Sequence, residues 1–287
     1  MQFYIDSSKY SEIEEISKSG ILSGVTTNPS LLKAALSEER INNLEVYIKN
    51  ILKLAGEEST VSLQVTAHNK NYKSLAKEGF LLYEKFNPIS NNVVIKIPTT
   101  PSYNSKDEFL FHGLKAISIL SNKNIPVNTT LIITPCQAVL AAYSGASYVS
   151  PFVGRKDDYL RDLVNVKYKK EDYYSQYGAY KGSKNPAEIA YDKIDNIHSG
   201  VHLVEKILDE FDKRNLKTKV LAASVRNVKQ VEELWKVHPH IASLPYNVFK
   251  EALIDFLPSL ISHPKTFEGV KKFSDDAPKE YKKLIIH

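Results

Sequence analysis

Apolar positions along the chain gather into short runs rich in β-branched and aromatic residues, and stretches with helical spacing separate them. The first run is Phe3-Tyr4-Ile5, closed by Asp6. After it, Ser11-Glu12-Ile13-Glu14 has a capping-box pattern, Ile13 and Ile16 sit at helical spacing, and Gly20 ends the helix. The second run is Gly24-Val25-Thr26-Thr27, and Asn28-Pro29 supplies an N-cap and a first helical residue for the next helix. Runs three to five are residues 61–65, residues 93–97 (ended by Pro98) and residues 127–133. Thr134-Pro135 repeats the cap-and-proline arrangement, and Gly145 closes that helix. Runs six to eight are residues 148–153, 219–223 and 240–244.

Strands that alternate with helices predict βαβ units and a parallel sheet. Eight such units are the number for a closed (β/α)₈ TIM barrel of the α/β class, which typically needs about 250 residues. The rival is an open doubly wound sheet, which would bring a glycine-rich nucleotide turn after its first strand, and this chain has none there. The expected organisation is one TIM-barrel domain over residues 1–287 with two additions. Residues 156–198 form a long extended connection after strand six, polar and rich in tyrosine (Tyr168, Tyr173, Tyr174, Tyr177, Tyr180), read as a surface excursion on the barrel rim. Residues 258–287 form a C-terminal tail with a helical stretch around Phe267 to Phe273, suited to covering the barrel mouth or to an interface in a homo-oligomer.

Composition narrows the function classes. Hydrophobic residues make up 43% and charged residues 25%, as in ordinary soluble domains. The net charge of +5 is small for 287 residues, and lysine and glutamate are mixed, so a nucleic-acid partner is not expected. No run is apolar enough to span a membrane, and the N-terminus lacks a signal-peptide pattern. The single cysteine, Cys136, excludes an intramolecular disulfide and is read as a buried helical residue. A cytoplasmic protein is expected. The eight histidines are scattered, and HExxH, CxxC, GxxxxGK and GxSxG are all missing, so no metal site, phosphate loop or hydrolase elbow is readable.

Barrel enzymes carry their active sites at the C-terminal ends of the strands. In order these ends present Asp6; Thr26, Thr27 and Asn28; Gln64; Lys96; Asn128 and Thr130; Ser150, Phe152 and Arg155; Ser224 and Arg226. Lys96 is the most informative, because it stands inside the otherwise apolar Val-Val-Ile-Lys-Ile-Pro. Desolvation lowers a lysine's pKa, and the neutral amine attacks carbonyl carbons; the alternative is a lysine that snorkels to solvent or pairs with an acid. Asp6 is a candidate general acid/base or a helix cap, and Asn28 a ligand or an ordinary N-cap. Gln64 and Thr130 are candidate site groups or inward polar residues bound to each other or to water. Ser224, read as opening a helix, could gather a phosphate with Arg155 and Arg226, or be a plain cap beside two surface arginines.

Phe-Tyr-Ile-Asp-Ser near the start, Gly24-Val-Thr-Thr-Asn-Pro-Ser30, Val94-Ile-Lys-Ile-Pro98, Asn128-Thr-Thr-Leu-Ile132, Ser150-Pro-Phe-Val-Gly-Arg155 and Leu221-Ala-Ala-Ser-Val-Arg-Asn227 together resemble the transaldolase family, which includes the fructose-6-phosphate aldolases. The likeness runs in order from residue 1 to about residue 273. It implies a Schiff-base lysine at Lys96, an acid/base at Asp6, and Asn28 and Ser150 on the hydroxyls of a dihydroxyacetone unit. Thr130, with Gln64, would position a catalytic water. Thr26, Asn128 and Phe152 fall among the substrate-binding positions, and Arg155, Ser224 and Arg226 among the phosphate-binding ones. The implied reaction moves a dihydroxyacetone unit from a ketose phosphate to an aldose phosphate in the non-oxidative pentose phosphate branch, without metal or organic cofactor. Two markers pull apart. Transaldolases of the family usually carry glutamate where this chain has Gln64, as its aldolases do not; those aldolases usually carry tyrosine where this chain has Phe152, as transaldolases do not.

Overall fold

A computed structural model describes residues 1–165, 167–172, 192 and 194–278. Eight parallel strands close into a barrel in chain order: β1 (Gln2–Asp6), β2 (Leu22–Thr26), β3 (Thr60–Gln64), β4 (Val93–Pro98), β5 (Val127–Ile132), β6 (Tyr148–Pro151), β7 (Lys219–Ala222) and β8 (Ile241–Leu244), with β8 paired back onto β1. The predicted TIM barrel is therefore the observed fold. It lies within a compact unit spanning Met1–Lys250; a second unit, Glu251–His287, carries the helices Leu257–Ile261 and Pro264–Asp276 among its described residues. No helix among the described residues is long and apolar enough to cross a membrane.

The helices form because their apolar faces have the barrel wall to cover. Helix Gly200–Lys213 buries Leu203, Val204, Ile207 and Phe211 on one side and leaves charged residues on the other. Each such side chain, fully buried, contributes about 1.5–3 kcal/mol. Several helix starts are set locally. Asn28 accepts from the Leu31 N–H, and Thr134 and Gln137 form a complete capping box ahead of Pro135. The box expected at Ser11 does not form: helix Tyr10–Ser17 begins after Lys9, and the Ser11 hydroxyl goes instead to Glu39, 2.9 Å away. Gly20 and Gly145 adopt the left-handed backbone that ends the helices before them.

Inside the barrel, the lower layer is plugged by tyrosines. Tyr4 and Tyr148 join Leu221, Ala223, Ile241 and Phe152 in one apolar cluster. The Tyr4 hydroxyl is bonded to Thr60 Oγ1 at 2.8 Å, and burial pushes its pKa up to about 12. Gly24 makes room for this ring, since a Cβ there would lie 2.5 Å from it and 2.8 Å from the Thr60 carbonyl.

Of the long connection predicted after strand six, residues 156–163 belong to helix Val153–Leu163. Its charged residues build an internal network. The Lys156 ammonium, fully buried, pairs with Asp192 at 2.8 Å and Asp195 at 3.2 Å. Asp157 accepts from the Gly200 N–H at 2.6 Å and from Gln230 Nε2 at 2.7 Å, while burial pushes its pKa up to about 7. Tyr168 is described, with the Arg161 guanidinium 4.8 Å from the centre of its ring; Tyr173, Tyr174, Tyr177 and Tyr180 lie outside the described residues.

Candidate active site

Strand pairing places Gln64 beside Lys96 and Lys96 beside Asn128, so β3, β4 and β5 present these side chains at neighbouring positions on the inner wall. On the opposite run of strands, Asp6 pairs with Thr26. All of β4 is buried, Lys96 included at 4% exposure, so the lysine does not snorkel to solvent. Its Nζ donates to the Thr27 carbonyl at 3.2 Å. Burial holds the ammonium well below the ordinary lysine pKa, and the negative charge of Asp6 opposes that shift in part. The result is an amine with an accessible neutral form and a carboxylate close enough to be felt.

Two hydrogen-bond chains frame this pair. In the first, Thr26 Oγ1 donates to Asp6 Oδ1 at 2.8 Å and lies 2.6 Å from Ser243 Oγ on β8. In the second, Ser150 Oγ donates to Asn128 Oδ1 at 2.7 Å, and Asn128 Nδ2 donates to Ser62 Oγ at 3.3 Å. Ser150's proton is thereby committed, which leaves its oxygen to accept from a ligand hydroxyl. Asn28 is the N-cap: its Oδ1 accepts from the Leu31 N–H, which fixes the side chain and leaves its amide N–H groups as donors. Asp6 caps no helix, since the next one starts after Lys9. Thr130 Oγ1 is buried with no partner among the described residues, although its carbonyl accepts both the N–H and the hydroxyl of Thr99. Thr130 Oγ1 therefore makes no hydrogen bond to Gln64.

At the strand ends on the β6–β7 side, Arg155 is exposed in the first turn of helix Val153–Leu163, its guanidinium 5.3 Å from the centre of the Phe152 ring. Arg226 is not a surface arginine. Its side chain is 8% exposed, its guanidinium is gripped by both carboxylate oxygens of Asp158, and it also donates to the Lys170 carbonyl at 3.1 Å. Ser224 does not open a helix: that helix is Val228–Val237, capped by Asn227, whose side chain accepts from the Gln230 N–H. Ser224 instead takes a left-handed backbone (φ 58°), and its carbonyl receives the Gly154 N–H at 3.0 Å. Only glycine fits at 154, because a Cβ would come within 2.4 Å of Arg226 Nε and 2.6 Å of that carbonyl. Cys136 is exposed rather than buried.

Two polar residues of this centre escaped the sequence reading, Ser62 and Ser243. Both are fully or almost fully buried. Counting inward positions by twos along β3 and β8, from Gln64 and from Ile241, reaches each of them.

The family model described as transaldolase/fructose-6-phosphate aldolase matches residues 3–284. The chain belongs to this family. A protein of a Hydrogenobaculum species named a probable transaldolase is 34% identical over 276 residues, covering 96% of each chain. One of Bacteroides thetaiotaomicron with the same name is 33% identical over 284 residues and covers 99% of each. Family membership bears out the resemblance carried by the strand-end motifs.

Proposed function

We propose that the protein is a transaldolase that carries a dihydroxyacetone unit on Lys96. The observation that carries the reading is the buried Lys96 amine, held toward its neutral form, with the Asp6 carboxylate across the same cavity wall. The neutral amine adds to the C2 carbonyl of a ketose phosphate such as fructose 6-phosphate or sedoheptulose 7-phosphate, and loss of water gives the Schiff base. Asp6 then takes the proton of the C4 hydroxyl as the C3–C4 bond breaks, and the electron pair moves into the imine. An aldose phosphate leaves. The enamine left on Lys96 attacks the aldehyde of an acceptor, Asp6 returns its proton to the new hydroxyl, and hydrolysis frees the lysine. Asn28 and Ser150 hold the hydroxyls of the dihydroxyacetone unit in this scheme, and Thr130 with Gln64 orients water.

A second reading has one residue in its favour. Gln64 matches the aldolases of the family, in which the unit is released as free dihydroxyacetone. Phe152 favours the transferase, because its ring offers no hydroxyl to direct water at the intermediate. Incubation with fructose 6-phosphate, with and without erythrose 4-phosphate, separates the two. We expect turnover to depend on the acceptor; full-rate release of glyceraldehyde 3-phosphate without it would sink the transferase reading.

The phosphate of the substrate falls to Arg155 in this scheme, with the Ser224 and Arg226 region beside it. Arg155 makes no ion pair with a described residue, whereas Arg226 already holds Asp158. Loss of one charge-assisted contact of this kind costs about 1.5–3 kcal/mol. Arg155→Ala should therefore raise KM for fructose 6-phosphate by about tenfold to a hundredfold. Equal weakening of phosphorylated and unphosphorylated donors would show that Arg155 does not read the phosphate.

A further inference from the structure

Thr26 has one hydroxyl proton and two oxygen partners. Its Oγ1 lies 2.8 Å from Asp6 Oδ1 and 2.6 Å from Ser243 Oγ. Thr26 is 2% exposed and Ser243 0%, so neither hydroxyl can turn to bulk water. An ionised carboxylate only accepts. While Asp6 is ionised, the Thr26 proton is committed to it, and the contact with Ser243 can be a hydrogen bond only if Ser243 donates. When the proton that Asp6 gains sits on Oδ1, that oxygen donates to Thr26, and the Thr26 proton needs an acceptor elsewhere. Ser243 Oγ is that acceptor. The chain runs from Ser243 through Thr26 to Asp6 in one state and in reverse in the other, and Thr26 stays bonded on both sides throughout.

We propose that Ser243 is a positioning residue for the acid/base step: it lets the Thr26 hydroxyl reverse its direction as Asp6 gains and loses a proton. The inference rests on the reading of Asp6 given under the proposed function. Removing the Ser243 hydroxyl spares the ionised state, in which Thr26 still donates to Asp6. It strands the Thr26 proton in the protonated state, and a buried donor without a partner is penalised. The affected step is carbon–carbon cleavage, in which the C3–C4 electron pair passes into the imine and the C4 hydroxyl proton passes to Asp6. Formation of the enzyme–substrate complex does not place a proton on Asp6, so affinity is spared.

The test is single-turnover cleavage of fructose 6-phosphate by Ser243→Ala, Ser243→Thr, Thr26→Val and the Ser243→Ala/Thr26→Val double variant. Ser243→Ala should lower the cleavage rate about tenfold and change KM by less than about twofold. Ser243→Thr, which keeps the hydroxyl, should recover most of the rate. In the Thr26→Val background the loss of Ser243 should add nothing, because the relay is already cut. An unchanged rate in Ser243→Ala, or the same loss with and without Thr26, overturns the inference. If the extra methyl group of Ser243→Thr prevents folding, the comparison of Ser243→Ala in the two backgrounds decides alone. Borohydride treatment with fructose 6-phosphate separates this failure from that of the underlying reading. No adduct mass on Lys96 of the unsubstituted protein brings down the Schiff-base mechanism and this inference with it; an adduct together with an unimpaired Ser243→Ala brings down the inference alone.

Discussion

Lys96→Ala should reduce turnover of fructose 6-phosphate by about 10⁴-fold or more, as removal of a covalent nucleophile does, and the barrel should still fold. Borohydride should then leave the variant's mass unchanged. The energetic counterpart is best read with Lys96→Met, which keeps most of the side-chain volume. Burial lowers the pKa of Lys96 in the folded state relative to the unfolded chain. Between the lowered value and the ordinary lysine value of about 10.4, the unfolded state binds a proton that the folded state does not. Stability contributed at this position therefore rises with pH across that window and is lowest below it. Methionine has no such dependence. Lys96→Met should melt above the unsubstituted protein at neutral pH, with the gap narrowing as pH rises toward about 10. Melting curves of both proteins from about pH 6 to about pH 10 check this, and a gap that stays constant or widens would show that Lys96 is buried as its charged form. Activity and stability are thus expected to move in opposite directions at one residue.

Legibility in the sequence tracks the range of the interactions. The otherwise apolar run of β4 singled out Lys96, and the register sets it beside Gln64 and Asn128. Caps that close on their own helix, at Asn28 and Thr134, were readable because the donor lies three residues away. The cap at Ser11 was not, because Glu39, 28 residues on, competes for its hydroxyl. Ser224 and Asn227 are both plausible caps for the helix after them, and only the backbone decides for Asn227. Cys136 is exposed because helix Pro135–Tyr143 buries Ala138 and Ala141, which lie on the other side of the turn. The grip of Asp158 on Arg226 joins residues 68 apart, and no local pattern announces it. Ser62 and Ser243 lay at legible inward positions, but serine in a strand carries no signal of its own until a partner is seen.

Asp6→Asn should lower kcat by about 10²–10⁴-fold, the usual contribution of a positioned general acid/base. Asparagine keeps the shape and can still accept the Thr26 hydroxyl through its amide oxygen, so the first hydrogen-bond chain need not collapse. It cannot take the C4 hydroxyl proton. The charge matters separately. Asp6 favours the ammonium form of Lys96, partly offsetting burial. Removing that charge lets burial act unopposed, so the Lys96 pKa should fall further, and the neutral amine should be available at lower pH. Schiff-base formation and carbon–carbon cleavage therefore respond in opposite senses: cleavage is crippled, while the pH at which half of the protein is trapped by borohydride with dihydroxyacetone moves downward. Trapping measured as a function of pH, beside single-turnover cleavage, resolves the two effects. A trapping profile that moves upward would mean that Asp6 does not stabilise the ammonium. Unimpaired cleavage would remove Asp6 from the acid/base role, and the proton would then have to pass through another group of the same centre. Thr130 is the buried hydroxyl there with no described partner, so Thr130→Val would be the variant to examine against that outcome.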